Sequence, residues 1–309
     1  MSYILTVTLN PCIDRTISFE HFKSGSLNRA LSERTDVGGK GINVSKVLRA
    51  MGYPALATGI AFGETGKSIL SRLDEMGIAN NFIFSDNGNS RTNLKLLDTS
   101  TGDVTEIGGV SGEVIPALLD SFIEKYVTLL KDAELVVLSG SAPKGMPSDI
   151  YATLTQIAKE RGIKVILDAD GELLKNGIEA VPYMIKPNIY ELSRLFGRNI
   201  EKNELSAVTR KLLDMGISIV AISMGKDGSV FADKDNFLRL SALKVEGGCA
   251  IGAGDSMVAA AAFGIANGFE LQKLARYASA AGSATASKKG SEVCTMDEIL
   301  LGEKAVNIN

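Results

Sequence analysis

The 309-residue chain has one histidine, three cysteines and almost no net charge, and each scarcity closes off a class of function. A lone imidazole, His21, cannot build a metal site and suits a surface or lid position, so a catalytic base is expected to be a carboxylate. Cys12, Cys249 and Cys294 are odd in number, far apart and without a CxxC pair. That argues against zinc and against a disulfide framework, and fits a reduced cytoplasm. With 33 basic against 36 acidic side chains, the net charge is −3. No global field draws nucleic acid or an anionic membrane, and an anionic small substrate must be held by a few local cations. The longest apolar run, residues 257–266, is too short for a bilayer. The chain opens into a strand-like run with no basic stretch ahead of it, unlike a signal peptide. Pro- or Ser-rich linkers, low-complexity tracts and internal repeats are also missing.

What is present reads as a large soluble α/β protein. Short β-branched runs at residues 4–9, 135–138, 164–168, 183–186 and 217–223 alternate with amphipathic segments, such as Val44, Val47, Leu48 and Met51 along one helical face. Strand–helix alternation predicts a mostly parallel sheet flanked by helices on both faces, with ligands at the carboxyl ends of the strands. Residues 14–37 and 91–108 break the rhythm. The second holds a hairpin pattern (92–97, a turn at 98–102, then 103–107), and together the two read as a small β-sheet lid inserted in one domain spanning 1–309.

Gly252-Ala253-Gly254-Asp255-Ser256 precedes an apolar helical run, placing a carboxylate beside uncovered backbone amides at a helix start. Those are the parts for phosphoryl transfer to a hydroxyl, although a glycine turn with an Asp cap also begins ordinary helices. Gly38-Gly39-Lys40-Gly41-Ile42-Asn43 offers a second glycine loop with a cation and an amide. It lacks the GxxxxGK[ST] frame, and so does Gly63 to Ser68, which ends in GKS but follows Ala61; Lys67 is expected as an exposed helix residue. Asp14, in Asn10-Pro11-Cys12-Ile13-Asp14, follows the first strand, where a carboxylate can either bind sugar hydroxyls or stabilise its own turn. Arg91 and Arg29 are candidate phosphate holders. Asn188 and Glu191 form a capping-box pattern, or else face nucleotide phosphates and a hydrated Mg²⁺. Ser223, Gly225 and Gly228 follow another strand and read as a nucleotide loop or a plain hairpin turn.

In this order the motifs resemble the ribokinase-like (PfkB) carbohydrate kinases over essentially the whole chain: NPxxD at 10–14, GGKGxN at 38–43, Gly140-Ser141-x-Pro143-x-Gly145, Asn188-x-x-Glu191 and GAGD at 252–255. The GGKGINVS and GAGDSMVA forms look most like the branch containing 1-phosphofructokinase and tagatose-6-phosphate kinase. The resemblance implies a doubly wound sheet, a β-lid that also makes a homodimer contact, and ATP with Mg²⁺. It makes Asp255 the base and the Gly252, Ala253 and Gly254 amides an anion hole. Asp14, Gly38, Gly39, Lys40 and Asn43 would hold the sugar, with Arg91 and Arg29 on its phosphate. Lys186, Asn188, Glu191, Ser223, Gly225 and Gly228 would line the nucleotide side, Glu191 meeting Mg²⁺ through water. Cys249-Ala250-Ile251 departs from the hydroxyl-bearing residues of relatives and leaves potassium dependence open.

The implied reaction is ATP-dependent phosphorylation of a ketohexose phosphate, with fructose 1-phosphate first and tagatose 6-phosphate as the alternative. A carboxylate at a helix N-terminus is expected to be a weak base. A non-catalytic sugar-phosphate sensor is the reading from another class, and intact Asp255 and glycine loops count against it. A dinucleotide oxidoreductase would need GxGxxG after the first strand, where this chain has Asn-Pro-Cys-Ile-Asp.

Overall fold

The computed structural model describes residues 2–244, 251–288, 290 and 292–308. In chain order the elements are β1 (Tyr3–Thr8), β2 (Cys12–Phe19), β3 (Ser32–Gly38), α1 (Lys40–Ala50), β4 (Ala55–Phe62), α2 (Gly63–Glu75), β5 (Ile83–Ser85), β6 (Arg91–Asp98), β7 (Val104–Ile107), α3 (Pro116–Leu129), β8 (Ala133–Ser139), α4 (Ile150–Lys159), β9 (Lys164–Asp168), α5 (Gly171–Gly177), β10 (Met184–Ile185), α6 (Ile189–Leu195), α7 (Leu205–Asp214), β11 (Ile219–Ser223), β12 (Ser229–Ala232), β13 (Phe237–Leu240), α8 (Ala253–Ala266), α9 (Leu271–Ala286) and α10 (Met296–Ala305).

Nine strands form one sheet in the order β13-β12-β11-β10-β9-β8-β1-β4-β5. From β5 to β11 all neighbours are parallel; β12 and β13 add an antiparallel edge. Order reverses at β1, which lies between β4 and β8, so a crevice opens at its carboxyl end. This is the ribokinase-like α/β arrangement. The period-two alternation of the central strands builds a core on each face. Leu5, Val7, Val136 and Leu138 pack with α3 to α7 residues such as Phe122, Tyr151 and Leu212, while Ile4, Leu135 and Val137 pack with α1, α8, α9 and α10.

A separate four-stranded sheet, in the order β3-β2-β6-β7, comes from the two stretches that broke the helical rhythm. Its β6–β7 hairpin pairs Leu94 with Ile107 and Leu97 with Val104, and Gly102 N–H closes the turn onto Asp98 O at 2.8 Å. Ile13 and Val37 at its root pack on Ile42, Ala61 and Ile69 of the main body.

Two sequence expectations need amendment. The run at 183–186 yields only a two-residue strand, Met184–Ile185. The Ala- and Gly-rich β4 was not expected, yet its residues 55–59 pair with β1 and its residues 60–62 with β5. Lys67 is exposed on α2 and pairs with Glu64 at 2.8 Å, as its place outside any phosphate-loop frame implied.

Candidate active site

The carboxyl ends of β9 and β10 face the first turns of α1 and α8. Gly252, with φ +78°, makes the left-handed turn that starts α8, an apolar helix buried almost all round, and Asp255 lies in its first turn. The Asp255 carboxylate is buried, with Oδ2 accepting from Asn43 Nδ2 at 2.7 Å. Among the described residues its Oδ1 accepts no hydrogen bond. Burial, then the charge of Asp168, push its pKa from 3.8 up to about 6, against the opposing pull of Asn43, Lys40 and Lys186. This corrects the expectation of a weak base: desolvation and a second buried carboxylate outweigh the helix terminus.

Asp168, fully buried at the end of β9, was read in the sequence only as part of a strand. Its Oδ1 lies 3.2 Å from Lys40 Nζ and 3.3 Å from Lys186 Nζ. Burial would raise its pKa, but the two ammonium groups overrule this and hold it below the usual range. Burial likewise opposes the charge on Lys40, and Asp168, Glu191 and Asp255 overrule it, raising the Lys40 pKa. The arrangement is a relay of alternating charge between the two glycine loops. Gly254 approaches Lys186 so closely that a Cβ there would lie 3.4 Å from Nζ.

Two hollows adjoin the first turn of α1. A cleft of about 370 Å³ is lined by Asn10, Gly39, Lys40, Arg91, Ser141 and Glu191. Asp14, Gly38 and Asn43 line a second hollow with Lys95 and Gly252. The predicted sugar-binding residues are thus divided between the two. Asp14 accepts from Asn93 Nδ2 at 2.8 Å and pairs with Lys95 at 3.2 Å. Burial alone would raise its pKa, but Asn93 and Lys95 hold the carboxyl below its ordinary value. Gly38 must lack a side chain, because a Cβ would lie 2.9 Å from Asp14 Oδ2.

Arg91 starts β6 and donates from Nε to Asn10 O at 3.4 Å. Arg29 does not join it: it is exposed in the segment between β2 and β3 and makes no hydrogen bond or ion pair among the described residues.

On the far side of Asp168, Asn188 and Glu191 complete the capping box. Asn188 Oδ1 accepts from the Tyr190 and Glu191 amides, and Asn188 N–H donates to Glu191 Oε2 at 2.8 Å. Glu191 Oε1 meanwhile lies 3.6 Å from Lys40 Nζ, so the capping-box reading holds and the same carboxylate also reaches the lysine of the glycine loop. Ser223 bridges to Asn188 and opens a hairpin turn, in which Met224 N–H donates to Gly228 O at 2.9 Å. Gly225 and Gly228 take φ values of +58° and +86° there. Cys249 and Ala250, where the sequence departs from relatives, lie outside the described residues.

Sequence reasoning passed over Asp168, Asn93, Lys95 and Lys46. The lysines sit at ordinary positions in a strand and a helix. Only the end-of-strand position of Asp168 was a usable signal.

Comparison with known proteins agrees with this geometry. Residues 7–298 match the model of the pfkB family carbohydrate kinases. The chain is 35% identical to a 1-phosphofructokinase of Borreliella burgdorferi over 298 residues, covering 96% of this chain and 95% of that protein. A 1-phosphofructokinase of Bacillus subtilis is also 35% identical over 285 residues, with 92% of each chain covered. Phosphofructokinase-2 of Escherichia coli, solved in complex with potassium, superposes with a TM-score of 0.92 at 26% identity over 99% of both chains. The same enzyme in complex with fructose-6-phosphate gives 0.89 at 25%, again over 99% of both chains. Among the described residues, no helix is long and apolar enough to cross a membrane. With its family model spanning nearly the whole chain and its glycine loops gathered around buried Asp255, the protein belongs to the pfkB family of carbohydrate kinases and is an ATP-dependent sugar kinase.

Proposed function

We propose that this kinase transfers the γ-phosphoryl group of ATP to the free primary hydroxyl of a ketohexose phosphate, with fructose 1-phosphate phosphorylated at O6. The observation that carries the reading is the buried Asp255–Asn43 pair at the start of α8. Oδ2 is held by Asn43, which leaves Oδ1 to accept the hydroxyl proton as the oxygen attacks phosphorus. With a pKa near 6, Asp255 is ionised at neutral pH and holds a proton more readily than an ordinary carboxylate. The amides of Ala253 and Gly254, free of helical partners, face the charge that develops on the transferring group. Asp14 takes sugar hydroxyls, and Arg91 with Lys40 supplies cations for the substrate phosphate.

ATP lies toward Asn188, Glu191, Ser223, Gly225 and Gly228. Both Glu191 oxygens are already engaged, by the Asn188 amide and by Lys40, which fits contact with Mg²⁺ through water and not direct ligation. Bound with ATP, Mg²⁺ supplies charge neutralisation on the phosphates.

We read the small sheet as a lid over the sugar. Exposed apolar side chains on the sheet and on its β2–β3 connection, Val104 (51% exposed) on β7 with Leu27 (85%) and Leu31 (62%) on the connection, suit contact with a second copy. Arg29, between Leu27 and Leu31, would then act across that contact.

The test is ADP release with Mg-ATP and a panel of fructose 1-phosphate, tagatose 6-phosphate, fructose 6-phosphate and unphosphorylated sugars, ranked by kcat/KM. Preference for fructose 1-phosphate is the expected result, in line with the names of the curated relatives. A lead for tagatose 6-phosphate moves the assignment to that sugar, and silence across the panel refutes the reading.

A further inference from the structure

We propose that Lys46 is a positioning residue for phosphoryl transfer: it locks the Asn43 carboxamide so that its NH₂ group meets Asp255, and it ties that pair to the end of strand β3. The inference rests on Asp255 being the proton acceptor.

Lys46 follows Asn43 by three residues on α1, so the two share one face of the helix. It is only 7% exposed, an unusual place for an ammonium group. Its Nζ donates to Val37 O at 2.5 Å and to Asn43 Oδ1 at 3.2 Å. A lysine ammonium only donates, so the carboxamide must turn its oxygen toward it. Its nitrogen is then forced toward Asp255 Oδ2, where it donates at 2.7 Å. Without Lys46 only the Asp255 carboxylate would select the amide's orientation, and once that carboxyl is protonated the inverted amide, which leaves Asp255 without its donor, is no longer opposed.

Val37 is the penultimate residue of β3, whose partner β2 carries Asp14. One ammonium therefore joins the root of the small sheet to the amide that orients the base.

The charged surroundings fix the direction of the pH effect. Asp255 faces Asp168 from β9, Lys186 from beyond β10, and Lys40 and Asn43 from α1. Lys46 faces Asp36 on β3, Asp14 and Cys12 on β2, and Asp255. Losing the Asn43 donor and a nearby cation both favour the protonated form of Asp255, so the acidic limb of kcat moves to higher pH.

The experiment compares Lys46→Met and Lys46→Arg in the full chain, using the phosphorylated ketohexose that the wild type turns over best. Lys46→Met is expected to lower kcat about tenfold to hundredfold, the range for an outer hydrogen-bond partner. KM for ATP stays unchanged and the acidic limb moves upward. Lys46→Arg, which keeps a pure donor, restores most of the rate. In an Asn43→Ala background Lys46→Met adds less than a further twofold loss. Should Lys46→Met not fold, the milder Lys46→Gln takes its place with the same expected losses. A folded variant with normal kcat and an unmoved acidic limb overturns the proposal, as does an equal loss with Asn43 already removed. Carboxyl NMR titration of Asp255 in wild type and variant needs no substrate: an upward displacement supports the positioning role, and an unchanged titration overturns it. A wild type inactive on every sugar would refute the substrate reading alone.

Discussion

Replacing Asp255 by Asn should weaken the enzyme and strengthen the fold at once. The carboxyl has a folded pKa of about 6 against an ordinary 3.8. Because the folded value is raised, the folded protein holds the proton more tightly than the unfolded chain, and stability falls as pH rises between these values. At about 1.4 kcal/mol per tenfold in proton affinity, the ionised group costs the fold about 3 kcal/mol above pH ~6. Below pH ~4 both states are protonated and the cost is gone. Asn is nearly isosteric and can still accept from Asn43, so Asp255→Asn should be more stable by about 3 kcal/mol at pH 8, roughly 5 °C in Tm for a chain of this size. The advantage should shrink on acidification and vanish near pH 4. Melting curves of both proteins from pH 4 to 8, without ligands, read this difference. Turnover should fall by about 10² to 10⁴, the range for loss of a general base. A variant no more stable than wild type at pH 8, or an advantage independent of pH, would refute the burial argument. A variant with near-normal kcat would remove Asp255 from the chemistry.

Three further perturbations probe the surrounding parts. Arg91→Ala removes a cation from the 370 Å³ cleft and should raise KM for the phosphorylated sugar about 10- to 100-fold, the worth of one charged hydrogen bond, while sparing KM for ATP. Equal damage to both would place Arg91 elsewhere. Asp168→Asn strands Lys186, only 4% exposed, and leaves Lys40 with Glu191 alone, and should cost about 3–5 kcal/mol in urea unfolding at neutral pH; an unchanged midpoint would show that Lys186 finds another partner. Gly228→Ala sets a Cβ 1.9 Å from Leu240 O at a φ of +86°, so it should destabilise by about 1 kcal/mol or more and raise KM for ATP. Normal melting and normal KM would show that the turn rearranges freely.

Much of the main sheet was legible because β1, β8, β9 and β11 are short β-branched runs. The hairpin of β6 and β7 announced itself through alternation around Asp98–Gly102. Strand β4 was hidden, because Ala55, Ala57 and Gly59 have little intrinsic preference for extended backbone and gain it from parallel pairing with β1. In the site, residues inside glycine motifs could be named from sequence because those motifs are contiguous. Asp168 offered only its place at a strand end, since its meaning comes from Lys40, 128 residues away, and from Lys186. The proton affinity of Asp255 was misjudged for the same reason: the helix terminus is local, whereas burial and the Asp168 charge exist only in the assembled fold. Arg29 shows the converse, a plausible cation that the folded single chain leaves in solvent.

The root of the small sheet has a mechanical consequence. Cys12 pairs with Gly38 on one side and with Arg91 on the other, so β2 and β6 enter the sheet, and β3 leaves it, on a single rung. A tilt of the sheet about that rung would sweep the Asp98–Gly102 tip through a wide arc while leaving Arg91 almost on the axle. An anion could then be gripped by Arg91 before the paddle swings, and the grip would not loosen as it moves. Recognition and closure would thus be separable in time, and exchanging the outer paddle for another should leave the aim of the arginine at its pivot unchanged.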